Sequence, residues 1–161
     1  DLNRMSEGRE SVWDYPRPPR LEHSSRRIRV YFDGELIADT NRALRVLETS
    51  HPPTYYVPEG DLSRERLVPH PKKTICEWKG QAKYYTIEGS GKRAEAAVWE
   101  YPEPTEQYRE LRGHYAFYAG SMDACYVDEE KVDAQGGSFY GGWITSDIEG
   151  PFKGGPGTMG W

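Results

Sequence analysis

The chain has 161 residues, with 21 Lys plus Arg against 26 Asp plus Glu and a formal charge of −5. That length suits one domain, and the mildly acidic balance excludes a broad electrostatic footprint for nucleic acid. Hydrophobic residues make up only 36% and no long apolar run occurs, which excludes a membrane-spanning helix, and residues 1–9 are too polar for a signal-peptide core.

The first 26 residues read as an extended arm. Pro16, Pro18 and Pro19 forbid regular helix, while Trp13, Tyr15 and Leu21 predict that the arm lies against the domain. Regular structure is expected from Arg27 onward. Ile28, Val30 and Phe32 alternate with Arg29 and Tyr31, which is strand periodicity. Asp33-Gly34 marks a two-residue hairpin turn, and 35–39 returns as its partner. Short strands follow at 44–47 and 54–57, separated by His51-Pro52-Pro53. Residues 59–71 read as polar and irregular, with Asp61-Leu62-Ser63 as a short edge strand. A strand is predicted at 74–78, and a second hairpin joins 83–88 to 94–101 around Gly89-Ser90-Gly91. Residues 105–112 form the one short helix, after the Pro102 and Pro104 punctuation. Three final short strands fall at 114–118, 123–127 and 131–134.

After Gln135 the composition changes, because nine of residues 136–161 are glycine. Phe139, Tyr140, Trp143, Phe152 and Trp161 are spaced among them, which a flexible linker does not need. The expectation is a structureless tail whose rings dock on the domain or on a second copy in a homodimer. The chain therefore divides into an arm (1–26), a core domain (27–135) and a tail (136–161). Gly154-Gly155-Pro156-Gly157 lacks the GK[ST] and the following helix of a phosphate loop.

Chemistry-bearing motifs are sparse. Cys76 and Cys125 have no CxxC pattern and read as buried, reduced thiols of a cytosolic protein, with a single bridge as the alternative. The four histidines, His23, His51, His70 and His114, show no metal-ligand spacing. A cross-fold site from Cys76, Cys125, His51 and His114 is the one metal arrangement conceivable. No metal and no cofactor is expected. Rings beside charged groups stand out instead, since Trp and Tyr make 17 of the 21 aromatic residues. In a pleated strand Trp99 and Tyr101 share a face, and small Ala94, Ala96 and Ala97 beside them leave room for a guest.

The string Ile37-Ala38-Asp39-Thr40, Arg42-Ala43-Leu44, Val46-Leu47-Glu48-Thr49, His51-Pro52-Pro53 and Tyr55-Tyr56 resembles the family catalogued as domain of unknown function 427. The likeness continues through Cys76, Trp78-Lys79-Gly80, Ala82 and Tyr84. It resumes at Ala97, Trp99, Tyr101-Pro102, Pro104, Tyr115-Ala116-Phe117-Tyr118 and Met122-Asp123. What the resemblance implies is a mainly β, single antiparallel β-tent-like domain, two sheets meeting at an angle over a cleft. Similar tents occur in the ligand-binding domain of cereblon and in methionine sulfoxide reductase B. Relatives of that kind carry zinc on paired CxxC motifs, which this chain lacks, and the reductase's nucleophilic cysteine motif has no match here. The tryptophan cage of cereblon is the closer analogy.

The leading expectation is a small-molecule pocket in the cleft between the sheets. Its walls would be Tyr56, Trp78, Tyr84, Trp99 and Tyr101, with Glu48, His51 and Lys79 as polar contacts, around a planar, sugar-like or cationic ligand. One alternative is an enzyme using Glu48 or Asp123 as general base with His51 or His114. The other is a homo-oligomeric interaction module held by arm and tail.

Overall fold

The computed structural model of the protein describes residues 9–137, 139–155, 157–158 and 161. Two short segments open the chain, β1 (Glu10–Ser11) and β2 (Arg20–Ser24). Strands β3 (Ile28–Phe32) and β4 (Glu35–Thr40) form the first hairpin. Its Asp33 and Gly34 both take positive φ, 50° and 78°, which a two-residue turn of this kind requires. Strands β5 (Ala43–Leu47), β6 (Thr54–Pro58), β7 (Leu67–Cys76), β8 (Gly80–Glu88) and β9 (Arg93–Glu100) follow. After a 3₁₀ segment at Glu106–Leu111 come β10 (His114–Phe117), β11 (Ala124–Val127), β12 (Glu130–Lys131) and β13 (Asp133–Ala134). The chain ends with β14 (Trp143–Ile144) and β15 (Ile148–Glu149).

The architecture is mainly β and its two principal sheets are antiparallel, with neither closed into a barrel. Seven strands make the large sheet in the order β2-β5-β6-β10-β9-β8-β7, and four make the small one, β12-β11-β3-β4. β1 and β15 form a minor parallel pair, and β13 with β14 an antiparallel one. Among the described residues no helix is long and apolar enough to cross a membrane.

The period of two residues explains how the large sheet is buried on both faces. Tyr55, Val57, Tyr85, Ile87, Val98, Tyr115 and Phe117 point to one side, into a core shared with Ile28, Val30 and Phe32 of the small sheet. Their chain neighbours Tyr56, Tyr84, Trp99 and Ala116 point to the other. There they meet Leu44, Val46 and, from the 3₁₀ segment, Tyr108 and Leu111. The Tyr108 hydroxyl donates to the Pro19 carbonyl at 2.6 Å, which ties that cover to the N-terminal stretch.

The edge strand expected at Asp61-Leu62-Ser63 is a 3₁₀ turn followed by a single bridge from Leu62 to Ala38, and the strand expected at 74–78 ends at Cys76. Three larger elements also depart from the sequence reading. Arg20–Ser24, assigned to the extended arm, is an edge strand of the large sheet, paired with β5 from Arg20↔Leu47 to Ser24↔Ala43. The backbone after Pro19 is free to pair, so regular structure starts at Arg20, seven residues before the expected Arg27. The first eight positions of that arm lie outside the described residues. Leu67–Cys76 is a ten-residue strand in a stretch taken as irregular up to Pro71. Pro69 and Pro71 are tolerated because β7 is the other edge, with a register shift between His70 and Lys73. The tail contains β14 and β15, and Trp143 is buried in the core shared by the two sheets. Pro156 of the glycine-rich 154–157 stretch lies outside the described residues.

Candidate functional site

A cavity of about 340 Å³ lies against the second face of the large sheet. The small sheet contributes none of its lining, so the hollow is not the cleft between the two principal sheets that the sequence suggested. That space is filled by the shared core. Doublets such as Tyr55-Tyr56 and Tyr84-Tyr85 send one ring to the filled side and one to the hollow side.

All eight residues singled out from the sequence line this one cavity: Glu48, His51, Tyr56, Trp78, Lys79, Tyr84, Trp99 and Tyr101. Trp99 is the centre of the ring cluster. Its indole lies 4.6 Å from the Tyr118 ring and 6.3 Å from both Tyr56 and Tyr84, the Tyr56 contact being edge-on. Tyr56 in turn lies 6.3 Å from Tyr101. Burial pushes the hydroxyls of Tyr56 and Tyr101 far toward the neutral form, so these walls carry no charge at neutral pH. The Tyr84 hydroxyl shares a hydrogen bond with the Thr74 hydroxyl at 3.0 Å.

Lys79 sits in the three-residue turn joining β7 to β8. Gly80 closes that turn with φ of 107°. The segment after β9 clamps it, since the Thr105 hydroxyl donates to the Trp78 carbonyl at 2.6 Å and the Thr105 N–H to the Lys79 carbonyl at 3.1 Å. Only 9% of Lys79 is exposed. Burial works against its charge, but Tyr56, the Cys76 sulfur and Glu48 outweigh that penalty and hold its pKa above the ordinary lysine value. Lys79 is thus an ammonium at neutral pH.

Glu48 and His51 come from the β5–β6 loop, which turns through Ser50 at φ of 72°. The His51 N–H donates to the Glu48 carbonyl at 3.0 Å. The Glu48 carboxylate faces Arg17 at 3.5 Å. The His51 ring is held by Gln135, a buried amide whose three bonds fix its orientation. Its oxygen accepts from the Gly142 N–H at 3.0 Å, and its nitrogen donates to the Lys153 carbonyl at 2.7 Å and to His51 Nδ1 at 3.2 Å. Nδ1 therefore carries no proton, and the neutral ring keeps its hydrogen on Nε2. Burial first, then the charges of Lys153, Arg17 and Lys79, lower the His51 pKa to about 4.

That shift has a pH signature. The folded state resists protonating His51 while the unfolded chain takes up the proton near its ordinary pKa of about 6.5. Stability is expected to fall as pH drops from about 6.5 to 4, by roughly 2–3 kcal/mol, and to lose no more from this group below that. Urea titrations of the wild type and His51→Gln across this range test it. Parallel pH profiles of the two proteins would contradict the assignment.

The other sequence candidates lie elsewhere. Asp123 accepts from the Gly34 N–H at 2.8 Å and from Lys92 at 2.8 Å. The Gly34 and Lys92 bonds hold its pKa at about 2, and it does not line the cavity. His114 stands at the start of β10, its Nδ1 3.1 Å from the Arg112 carbonyl. Of the general-base and imidazole pairs considered, only Glu48 and His51 share the cavity, and their side chains are engaged by Arg17 and Gln135 respectively. Both cysteines are free. Cys76 lines the cavity, whereas Cys125 is buried in the shared core, with its thiol pushed up by burial. The conceived metal set is thus split between two sides of the sheet. Among the described residues no group of three or more His, Cys, Asp or Glu could hold a metal ion.

Sequence reasoning missed Arg17, Tyr118, Gln135, Tyr140, Gly141 and Lys153, all of which line the cavity. The aromatic spacing in residues 136–161 was the available signal. A tail that closes a site must carry rings and must lack side chains where it approaches the sheet. No curated protein matches the chain. The model of one family, described as a domain of unknown function (DUF427), matches residues 20–128. This stretch contains all seven strands of the large sheet, from the edge strand β2 onward, and the chain belongs to that family.

Proposed function

We propose that the protein binds a small molecule in the cavity on the second face of the large sheet. The observation that carries this reading is convergence. Side chains from the β5–β6 loop, β6, the β7–β8 turn, β8 and the end of β9 meet at one hollow of about 340 Å³. That volume lies within the range of about 300–1,000 Å³ usual for small-ligand sites. Its wall is also of mixed chemistry. The rings of Tyr84 and Trp99 offer apolar faces, while His51 and Lys79 offer polar groups that fix an orientation. Each ring stacked on a guest would contribute about 0.5–1.5 kcal/mol.

A ligand-observed NMR screen of nucleosides, sugars, amines and aromatic acids tests the proposal. Hits are expected to compete with one another and to be lost in Trp99→Leu. They should persist in Leu36→Ala, because Leu36 is 43% exposed on β4 of the small sheet and does not line the cavity. An absence of hits, or hits unaffected by Trp99→Leu, would refute it.

A further inference from the structure

We infer that the ligand is an oxyanion on a flat apolar body, the body lying against the ring wall and the anionic group meeting Lys79. This rests on the small-molecule reading above and adds the charge of the guest.

The argument starts from the cost of Lys79. A buried ammonium is expensive unless a counter-charge or hydrogen-bond acceptors compensate it. Lys79 is nine-tenths buried, yet among the described residues it has no carboxylate within ion-pair distance. Tyr56, the Cys76 sulfur, Glu48 and the Tyr101 ring, whose centroid is 5.7 Å from Nζ, favour its charge without forming an ion pair with it. Glu48, the carboxylate whose charge acts on Lys79, is drawn to Arg17. The other carboxylate on the cavity wall, Glu77, is exposed.

The rest of the wall has the same bias. Arg17, Lys79 and Lys153 face two carboxylates, Glu48 and Glu77. Lys153 donates to the main-chain oxygen of Trp161 at 2.6 Å, which places a second ammonium at the rim. His51 behaves as expected of a ring in that field, since these three cations add to burial in keeping it neutral. Held neutral with Nδ1 occupied by Gln135, it presents Nε2–H as a donor, not an acceptor. Ammonium and N–H donors together suit a carboxylate or phosphate. An amine would add a like charge, and a neutral guest would leave the ammonium as it is.

The test uses matched sets of four compounds on phenyl, naphthyl and indolyl bodies, bearing a carboxylate, a phosphate, a carboxamide or a methylamine. Binding to the full chain is followed through the tryptophan indole NMR signals. The carboxylate or the phosphate is expected to bind tighter than the carboxamide by on the order of tenfold to a hundredfold, with the amine weakest. Whichever of the two anions ranks first identifies the oxyanion. In Lys79→Met the anion preference should collapse, and in Lys79→Arg it should persist. The wild-type ranking stands by itself should Lys79→Met fail to fold. Carboxamide or amine binding as tightly as the anions overturns the inference and leaves the pocket reading intact. An anion preference unchanged in folded Lys79→Met overturns the assignment to Lys79. Saturable binding by none of the compounds overturns both readings.

Discussion

Trp143→Ala is expected to cost about 3–5 kcal/mol of stability, the range for emptying a large buried ring. Trp143 is 1% exposed and lies 5.4 Å from the Tyr55 ring. Its indole N–H donates to the Phe117 carbonyl at 3.0 Å and its backbone N–H to the Pro53 carbonyl at 2.8 Å. It thus pins the glycine-rich segment to strands in the middle of the large sheet. The substitution both opens a void and leaves the Phe117 carbonyl without its partner. Trp143→Phe retains most of the volume but not the donor, so an intermediate loss of about 1–3 kcal/mol is expected from the orphaned carbonyl. Urea unfolding of the three proteins measures both differences. A loss below 1 kcal/mol for the alanine variant would show that the tail is not integral to the core. The same packing bears on assembly. Deleting residues 136–161 removes this ring, so any change of mass in solution would report a damaged core before it reported a lost partner.

The second large effect is expected from the smallest change, Gly141→Ala. A methyl group at Gly141 would sit 2.2 Å from Cη2 of Trp99 and 3.1 Å from two further atoms of that indole. The indole cannot simply retreat, because Tyr118, Tyr84 and Tyr56 surround it. Overpacking of this kind costs about 1–3 kcal/mol, and here it should push Trp99 toward the hollow it lines. Lower stability is therefore expected together with a shifted Trp99 indole signal and weaker binding of any cavity ligand. Gly155→Ala serves as the control, since among the described residues its added carbon would meet only the Phe152 carbonyl at 3.5 Å. Equal effects at the two positions would mean that backbone freedom of the tail, not the approach to Trp99, is responsible.

Much of the fold follows from local pattern. Asp33-Gly34 encodes its hairpin because those residues accept positive φ, and the register Phe32↔Glu35 leaves a turn of two residues. The alternation of Ile28, Val30 and Phe32 encodes a one-sided strand. What a doublet such as Tyr55-Tyr56 cannot encode is which side of its sheet is filled and which is hollow. That depends on distant cover, namely the small sheet on one side and residues 106–111 and 139–141 on the other. The site was legible to the extent that rings and charges lie close together in sequence, as with Trp78-Lys79 or Trp99 and Tyr101. Gln135 stands 84 positions from the histidine it orients. No spacing rule links them, and only the folded chain shows the imidazole proton fixed on one nitrogen.

The prolines of β7 have a consequence beyond their own strand. An open seven-strand sheet ends in two rows of backbone donors and acceptors onto which another chain could zip. Along β7, Val68 and the 79% exposed Ile75 would make such growth attractive. Pro69 and Pro71 delete two of the donors that an incoming strand would need, and the register shift beside them interrupts the template. The sheet can therefore stay unclosed, with a hollow on one of its sides, without inviting fibrous growth from that border.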